Sequence, residues 1–159
     1  MSVAGLFTAS RPAGRELGLR TSLVPVNTAK PLPVDAVELA ARLASERREP
    51  SIELLAFTEI PLAEDMDVEL DDLDEAVHTL TAEARAIAGR YGVTVHTRHV
   101  RTRDPADAVL AAAARTTVQA IVLGASGLAA AAHRQSTDDL AVRQVLEGAE
   151  QRVYLVHGA

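Results

Sequence analysis

Five short apolar runs alternate with longer segments in which apolar residues recur every three or four positions. The apolar runs occupy residues 21–26, 51–60, 93–100, 119–125 and 152–156. In the segment after the first run, Ala36, Leu39, Ala40 and Leu43 follow the spacing of one helix face. Helices are also predicted from about residue 72, from residue 105 and over residues 139–147. The pattern therefore predicts β-strands and α-helices in alternation.

This alternation determines how the strands run. Strands that are joined by helical crossovers must be parallel, and the crossovers must be right-handed. The runs are apolar without strict alternation, which is typical of a sheet covered by helices on both faces. We therefore predict a doubly wound α/β domain with a five-stranded parallel sheet. Ligands of such folds bind beyond the carboxyl ends of the strands, where Asn27, Thr58 and the turn starting at Gly124 arrive.

The length of 159 residues predicts a single domain. We assign residues 21–159 to the α/β domain and residues 1–20 to an N-terminal arm or linker. Within the first twenty residues the apolar stretch precedes the arginines, which is the wrong order for a secretory signal. No apolar run approaches the roughly 18 residues of a membrane span. We therefore expect a cytoplasmic protein that does not insert into a membrane.

Charge and residue usage exclude several kinds of partner. A net charge of -6 and an aromatic content of 3% argue against a nucleic-acid-binding protein. The chain has no cysteine, so it has neither thiolate metal ligands nor a cysteine nucleophile. His96 and His99 are three residues apart on a predicted strand and point to opposite faces, so we expect surface or edge histidines and no metal site.

The fourth apolar run leads into a glycine turn, "VLGASGLAAAAHRQSTDDLAVRQVLEG", over residues 122–148. Gly124 and Gly127 let the chain turn sharply off the strand, as in a phosphate-binding loop. Ser126, an acid at 138 or 139 and His157 follow the chain order of an α/β-hydrolase triad. Leu128, however, stands where the nucleophile turn needs a glycine, so we do not expect an enzyme.

Three stretches, "LVPVN", "DPADAVLAAA" and "AIVLGASG", resemble a universal stress protein domain, over about residues 21–157. "VPVN" and "RDPADAVL" most resemble the variant fused behind bacterial amino-acid transporters. The resemblance implies a strand order of 3-2-1-4-5. It also implies that nucleotide-binding members hold ATP with a Gly-x2-Gly-x9-Gly-Ser/Thr loop and an Asp at the end of the first strand. Other members lack this motif and bind no nucleotide.

The sequence matches half of that loop. Gly124 and Gly127 have the required spacing. After nine intervening residues, however, Thr137 stands at the position of the last glycine of the motif, and Asp138 stands at the Ser/Thr position. A register one residue earlier places Ser136 and Thr137 there, and no register restores the second glycine. Asp138 and Asp139 are helix-capping acids that would repel a phosphate.

Asn27 stands where nucleotide-binding members have Asp, whereas His133 and Arg134 are either phosphate contacts or solvated loop residues. We therefore predict a regulatory or interaction domain with a degenerate nucleotide loop and no cofactor. The alternative is an adenine-nucleotide sensor that binds ATP or AMP weakly through Asn27, Thr58 and the loop.

The implied strand order leaves the third and fifth strands at the edges of the sheet. Charges on the third strand discourage pairing with another chain, whereas the fifth is short and apolar. Family members that dimerise do so through this last strand, antiparallel, around a two-fold axis. We therefore predict a homodimer through Val153, Tyr154, Leu155 and Val156, and a further protein partner or a transporter.

Overall fold

The computed structural model describes residues 21–115, 118–124 and 137–157. The predicted arm, residues 1–20, lies outside the described residues. The strands are β1 (Thr21–Asn27), β2 (Ser51–Glu59), β3 (Thr94–Thr102), β4 (Val118–Gly124) and β5 (Arg152–Val156). The helices are α1 (Val34–Ala44), α2 (Leu73–Gly89), α3 (Pro105–Ala113) and α4 (Thr137–Gly148). The predicted alternation of strands and helices is confirmed.

The five strands form one sheet in the order β3-β2-β1-β4-β5, and every neighbouring pair is parallel. β1 lies in the centre, with Asn27 beside Phe57 of β2, and a register shift between Thr21 and Ser22 interrupts its pairing with β4. β3 and β5 are the edges. The predicted fold and strand order are therefore confirmed.

Helices cover both faces of the sheet. Val24 of β1 and Leu54 of β2 are fully buried in the core under α1 and α2. Their neighbours Leu23 and Leu55 are fully buried in a second core under α3 and α4. Because successive residues of a strand point to opposite faces, a sheet with two cores needs apolar residues at consecutive positions. This explains why the central runs lack strict polar alternation.

Some helix boundaries follow local signals and others do not. Asp104 accepts a hydrogen bond from the Asp107 N–H at 3.2 Å, and Pro105 is the first residue of α3, as its sequence predicts. Asp72 precedes α2 with a left-handed φ of 60° and makes no side-chain cap. Gly92 adopts a φ of 70° in the turn that leads from α2 to β3, which favours glycine there.

Glu53 is the main charged group inside the sheet. Its side chain is only 12% exposed, and one carboxylate oxygen accepts a hydrogen bond from Arg115, just after α3. The other oxygen lies 3.7 Å from Arg98 Nε and has no hydrogen-bond partner among the described residues. The two arginines compensate a carboxylate that is mostly removed from water.

Within the described ranges, no helix has the length and apolar character needed to cross a membrane. Those same ranges contain no group of three or more His, Asp or Glu residues placed to hold a metal ion.

Candidate functional site

A cavity of about 470 Å³ lies at the carboxyl ends of β1 and β4, bordered by α1, α3 and α4. The chain leaves β1 towards β2 on one side, whereas β4 and β5 extend the sheet on the other. This is the point where the strand order reverses, which is the usual ligand position in a doubly wound sheet. We call this cavity the switch-point pocket.

Asn27 lines the switch-point pocket and shapes the loop above it. Its Oδ1 accepts the Ala29 N–H at 2.9 Å, and its backbone carbonyl accepts the Lys30 N–H at 3.1 Å. These bonds fold the chain into a tight turn directly after β1. The amide oxygen of Asn27 is therefore engaged within the protein, and the uncharged side chain adds no carboxylate to the pocket.

Gly124 lies at the end of β4, on the wall of the same pocket. A Cβ atom at this position would stand 2.6 Å from Pro33 Cβ and 3.8 Å from Ala36 Cβ. The backbone of Gly124 is not left-handed, so the turn itself does not require glycine here. The sequence predicts that glycine at 124 serves a sharp turn of the chain. The structure gives a different reason, which is the close approach of β4 to the start of α1.

Thr58 follows Phe57 on β2 but is not among the residues that line the pocket, whereas Phe57 is. Adjacent strand residues point to opposite faces, so the two side chains cannot share one environment. The Thr58 hydroxyl is buried and lies 2.8 Å from both Thr28 Oγ1 and His99 Nε2. The structure therefore brings Asn27 and Gly124 together and places Thr58 in a separate hydrogen-bonded group.

His99 belongs to that group; it lies on the edge strand β3, but the sequence did not indicate its contact with Thr58. It is half-buried, and burial lowers the pKa of its imidazole, an effect that the nearby Arg101 reinforces and Asp74 opposes. The contact depends on the β2–β3 register, which sets His99 beside Ala56. No local sequence signal could reveal it.

Two helices that contribute to the lining of the switch-point pocket have aspartates in their first turns. Asp35 lines the pocket from the first turn of α1. Asp138 and Asp139 lie in the first turn of α4, which also provides Ala141 to the lining. A helix start attracts anions through its free N–H groups, and an Asp there already supplies the negative charge. Among the described side chains, Asp35 thus brings a negative charge to the lining of the pocket.

Several predicted site residues cannot be placed. Gly127, His133, Arg134 and Ser136 lie outside the described residues. Thr137 is the first residue of α4, and only its backbone is described.

β5 forms one edge of the sheet and pairs only with β4 among the described strands. Val153 packs against the core under α3 and α4, whereas Tyr154 and Val156 pack against the core under α1. Leu155 is 42% exposed, which is high for a leucine in a strand. The predicted interface residues therefore form an apolar edge with one exposed leucine.

Residues 19–157 match the Universal stress protein family. This match covers most of the 159 residues, and the chain therefore belongs to that family. A comparison with curated proteins found no match.

Solved universal stress proteins share the fold. One from Archaeoglobus fulgidus, in complex with dAMP, is 17% identical with a TM-score of 0.60, over 86% of this chain and 96% of that chain. Another, in complex with cAMP, is 20% identical with a TM-score of 0.58, over 88% of this chain and 99% of that chain. A third, from Burkholderia pseudomallei, is 18% identical with a TM-score of 0.57, over 87% of this chain and 96% of that chain. Identities this low establish the fold and leave the ligand of this chain undetermined.

Proposed function

We propose that this protein is a non-enzymatic regulatory or interaction domain of the universal stress protein type whose nucleotide loop is degenerate. The observation that supports this most strongly is Asp35, an acid at the start of α1 that lines the switch-point pocket. The sequence adds Asp138 and Asp139 at the start of α4, in place of the second glycine of the loop. We also propose that the protein is cytoplasmic.

The electrostatic reason is simple. ATP carries several negative charges, and two like charges 4 Å apart near a protein surface repel each other by about 4 kcal/mol. Asn27 removes the charged acceptor that nucleotide-binding relatives direct at the ligand, and the Asn27 amide oxygen is already bonded to the Ala29 N–H. Gly124 gives little support to a nucleotide site, because packing against Pro33 explains it.

An adenine-nucleotide sensor is the second candidate. Two observations favour it: solved relatives were obtained with dAMP and cAMP, and a pocket of about 470 Å³ lies at the expected position. In that case Asn27 and the loop residues Gly127, His133, Arg134, Ser136 and Thr137 would contact the nucleotide. Thr58 would contribute indirectly, through Thr28 at the start of the loop above the pocket.

For assembly, we propose a homodimer through the open edge of β5. An unpaired strand edge with apolar side chains is prone to pair with another strand, and pairing of two identical edges around a two-fold axis is self-complementary. Leu155, exposed at 42%, would become covered in such a dimer. As an interaction domain the dimer would act on a further protein, and an amino-acid transporter is the first partner to test.

Native mass spectrometry of the gently purified protein tests the proposal. We expect the mass of a dimer of the 16.8 kDa chain with no adenine nucleotide attached. A mass increase that matches AMP or ATP would favour the sensor, and a monomer would contradict the assembly.

A further inference from the structure

The lining of the switch-point pocket indicates what kind of molecule it takes in place of a nucleotide. Among the residues that the structure describes, twenty line the pocket; sixteen of these carry only hydrocarbon side chains, and one more is Gly124. The three polar ones are Asn27, Lys30 and Asp35. Ligand pockets are mostly apolar with a few polar groups, and the described side chains of this lining follow that pattern.

The charges of the described lining residues cancel. Lys30 contributes one positive charge and Asp35 one negative charge, and the amide oxygen of Asn27 is occupied by the Ala29 N–H. The described lining therefore provides no net attraction for an ion of either sign.

The floor of the pocket is part of the rigid core. Val26 of β1, Val109 of α3 and Val145 of α4 line it and are 1%, 3% and 2% exposed. Val34 at the start of α1 also lines it and is 46% exposed, so the lining extends from the core to the surface. Close-packed side chains do not collapse readily into a cavity, so the space is preformed.

The volume limits the size of the ligand. About 470 Å³ is roughly three times the ~150 Å³ cavity that holds one benzene molecule. A molecule with the bulk of two to three rings fits this space. Burial of apolar ligand surface against the valines supplies the driving force for binding, and an ionised group would lose its hydration in a lining whose described charges cancel.

We propose that the switch-point pocket binds a small, uncharged and mostly apolar molecule about the size of two to three aromatic rings. This inference rests on the proposed function, since it concerns the same pocket once nucleotide is excluded.

Two fluorescent probes with the same rings test the inference. N-phenyl-1-naphthylamine is uncharged, and 8-anilinonaphthalene-1-sulfonate adds one sulfonate. Titrations are made in 1 M NaCl, where the Debye length of about 3 Å keeps the net protein charge from deciding the result. We expect saturable one-to-one binding of the uncharged probe, at least tenfold tighter than binding of the sulfonate.

A matched pair of variants locates the probe. Ala141→Phe on α4 fills the pocket and should weaken binding of the uncharged probe at least tenfold. Ala111→Phe is the control, because Ala111 lies on the exposed face of α3 and does not line the pocket. If Ala141→Phe does not fold by circular dichroism, Val142→Phe on the same lining replaces it.

Equal affinity for both probes, no binding of the uncharged probe, or an unchanged affinity in the pocket variant would overturn the inference. The proposed function fails separately, through micromolar binding of ATP in calorimetry. A protein that binds neither ATP nor the uncharged probe would retain the proposed function and lose only this inference.

Discussion

Replacing Gly124 by alanine asks whether this glycine serves the fold or a ligand. The added Cβ would stand 2.6 Å from Pro33 Cβ. Two carbon atoms prefer a separation of about 3.5–4.0 Å, so β4 and the start of α1 must move apart. The proline ring is rigid and lies in a chain segment that folds directly into α1, so it cannot swing aside as a long side chain would.

Overpacking of this kind typically costs about 1–3 kcal/mol. For a domain of this size, 1 kcal/mol changes the melting temperature by about 2–4 °C, so we expect Gly124→Ala to lower it by about 2–12 °C. Urea unfolding followed by circular dichroism gives the free energy of unfolding directly.

Gly89→Ala is the control for the change from glycine to alanine. An added Cβ at Gly89, the last residue of α2, has no atom within 4 Å, and Gly89 is not left-handed. We expect no loss there, or a gain of about 0.5–1 kcal/mol. Combining Gly124→Ala with Pro33→Gly removes the clashing atom and should reduce the cost of the alanine. A Gly124→Ala protein as stable as the wild type would refute the packing reason.

Three further changes are predicted. Leu155→Lys places a charge on the exposed β5 edge and should shift the dimer towards monomer in light scattering. Because burial and then Arg101 lower the pKa of His99, the unfolded chain binds a proton at higher pH than the native protein. The free energy of unfolding should therefore fall as pH decreases below about 6.5, and by less in His99→Gln. Arg115→Met leaves the Glu53 carboxylate poorly compensated and should cost about 1–3 kcal/mol in urea unfolding. Arg115→Met combined with Glu53→Gln should cost less than Arg115→Met alone.

Each of these has a clear contrary result. An unchanged mass for Leu155→Lys would contradict the β5 interface. If the free energy of unfolding falls equally in the wild type and in His99→Gln when the pH is lowered to about 5.5, His99 does not contribute to the pH dependence. A double variant as unstable as Arg115→Met alone would mean that the Glu53 charge is not what Arg115 compensates.

Much of the fold could be predicted from the sequence, because each element carries a local signal. Asp104 and Pro105 mark the start of α3, and the apolar runs mark the strands that two cores bury. The strand order came from the resemblance to a family, since alternation alone sets direction without setting order.

The details of the site could not be predicted in the same way, because they depend on contacts between distant segments. The reason for Gly124 is a contact with Pro33, 91 positions earlier in the chain. Whether Thr58 faces the pocket depends on the pairing of Asn27 with Phe57, and a shift by one residue would exchange the two faces. His99 meets Thr58 only once β2 and β3 pair.

Isothermal titration calorimetry with ATP, in the presence and absence of magnesium, tests the degenerate site most directly. Magnesium belongs in the experiment because it could bridge an acid and a phosphate. We expect a dissociation constant no tighter than on the order of 1 mM, a binding free energy of only about -4 kcal/mol. The double change Asp138→Gly with Asp139→Ser should restore some affinity if the site is a remnant. Micromolar binding of ATP to the unchanged protein would contradict the proposed function and establish the nucleotide sensor in its place.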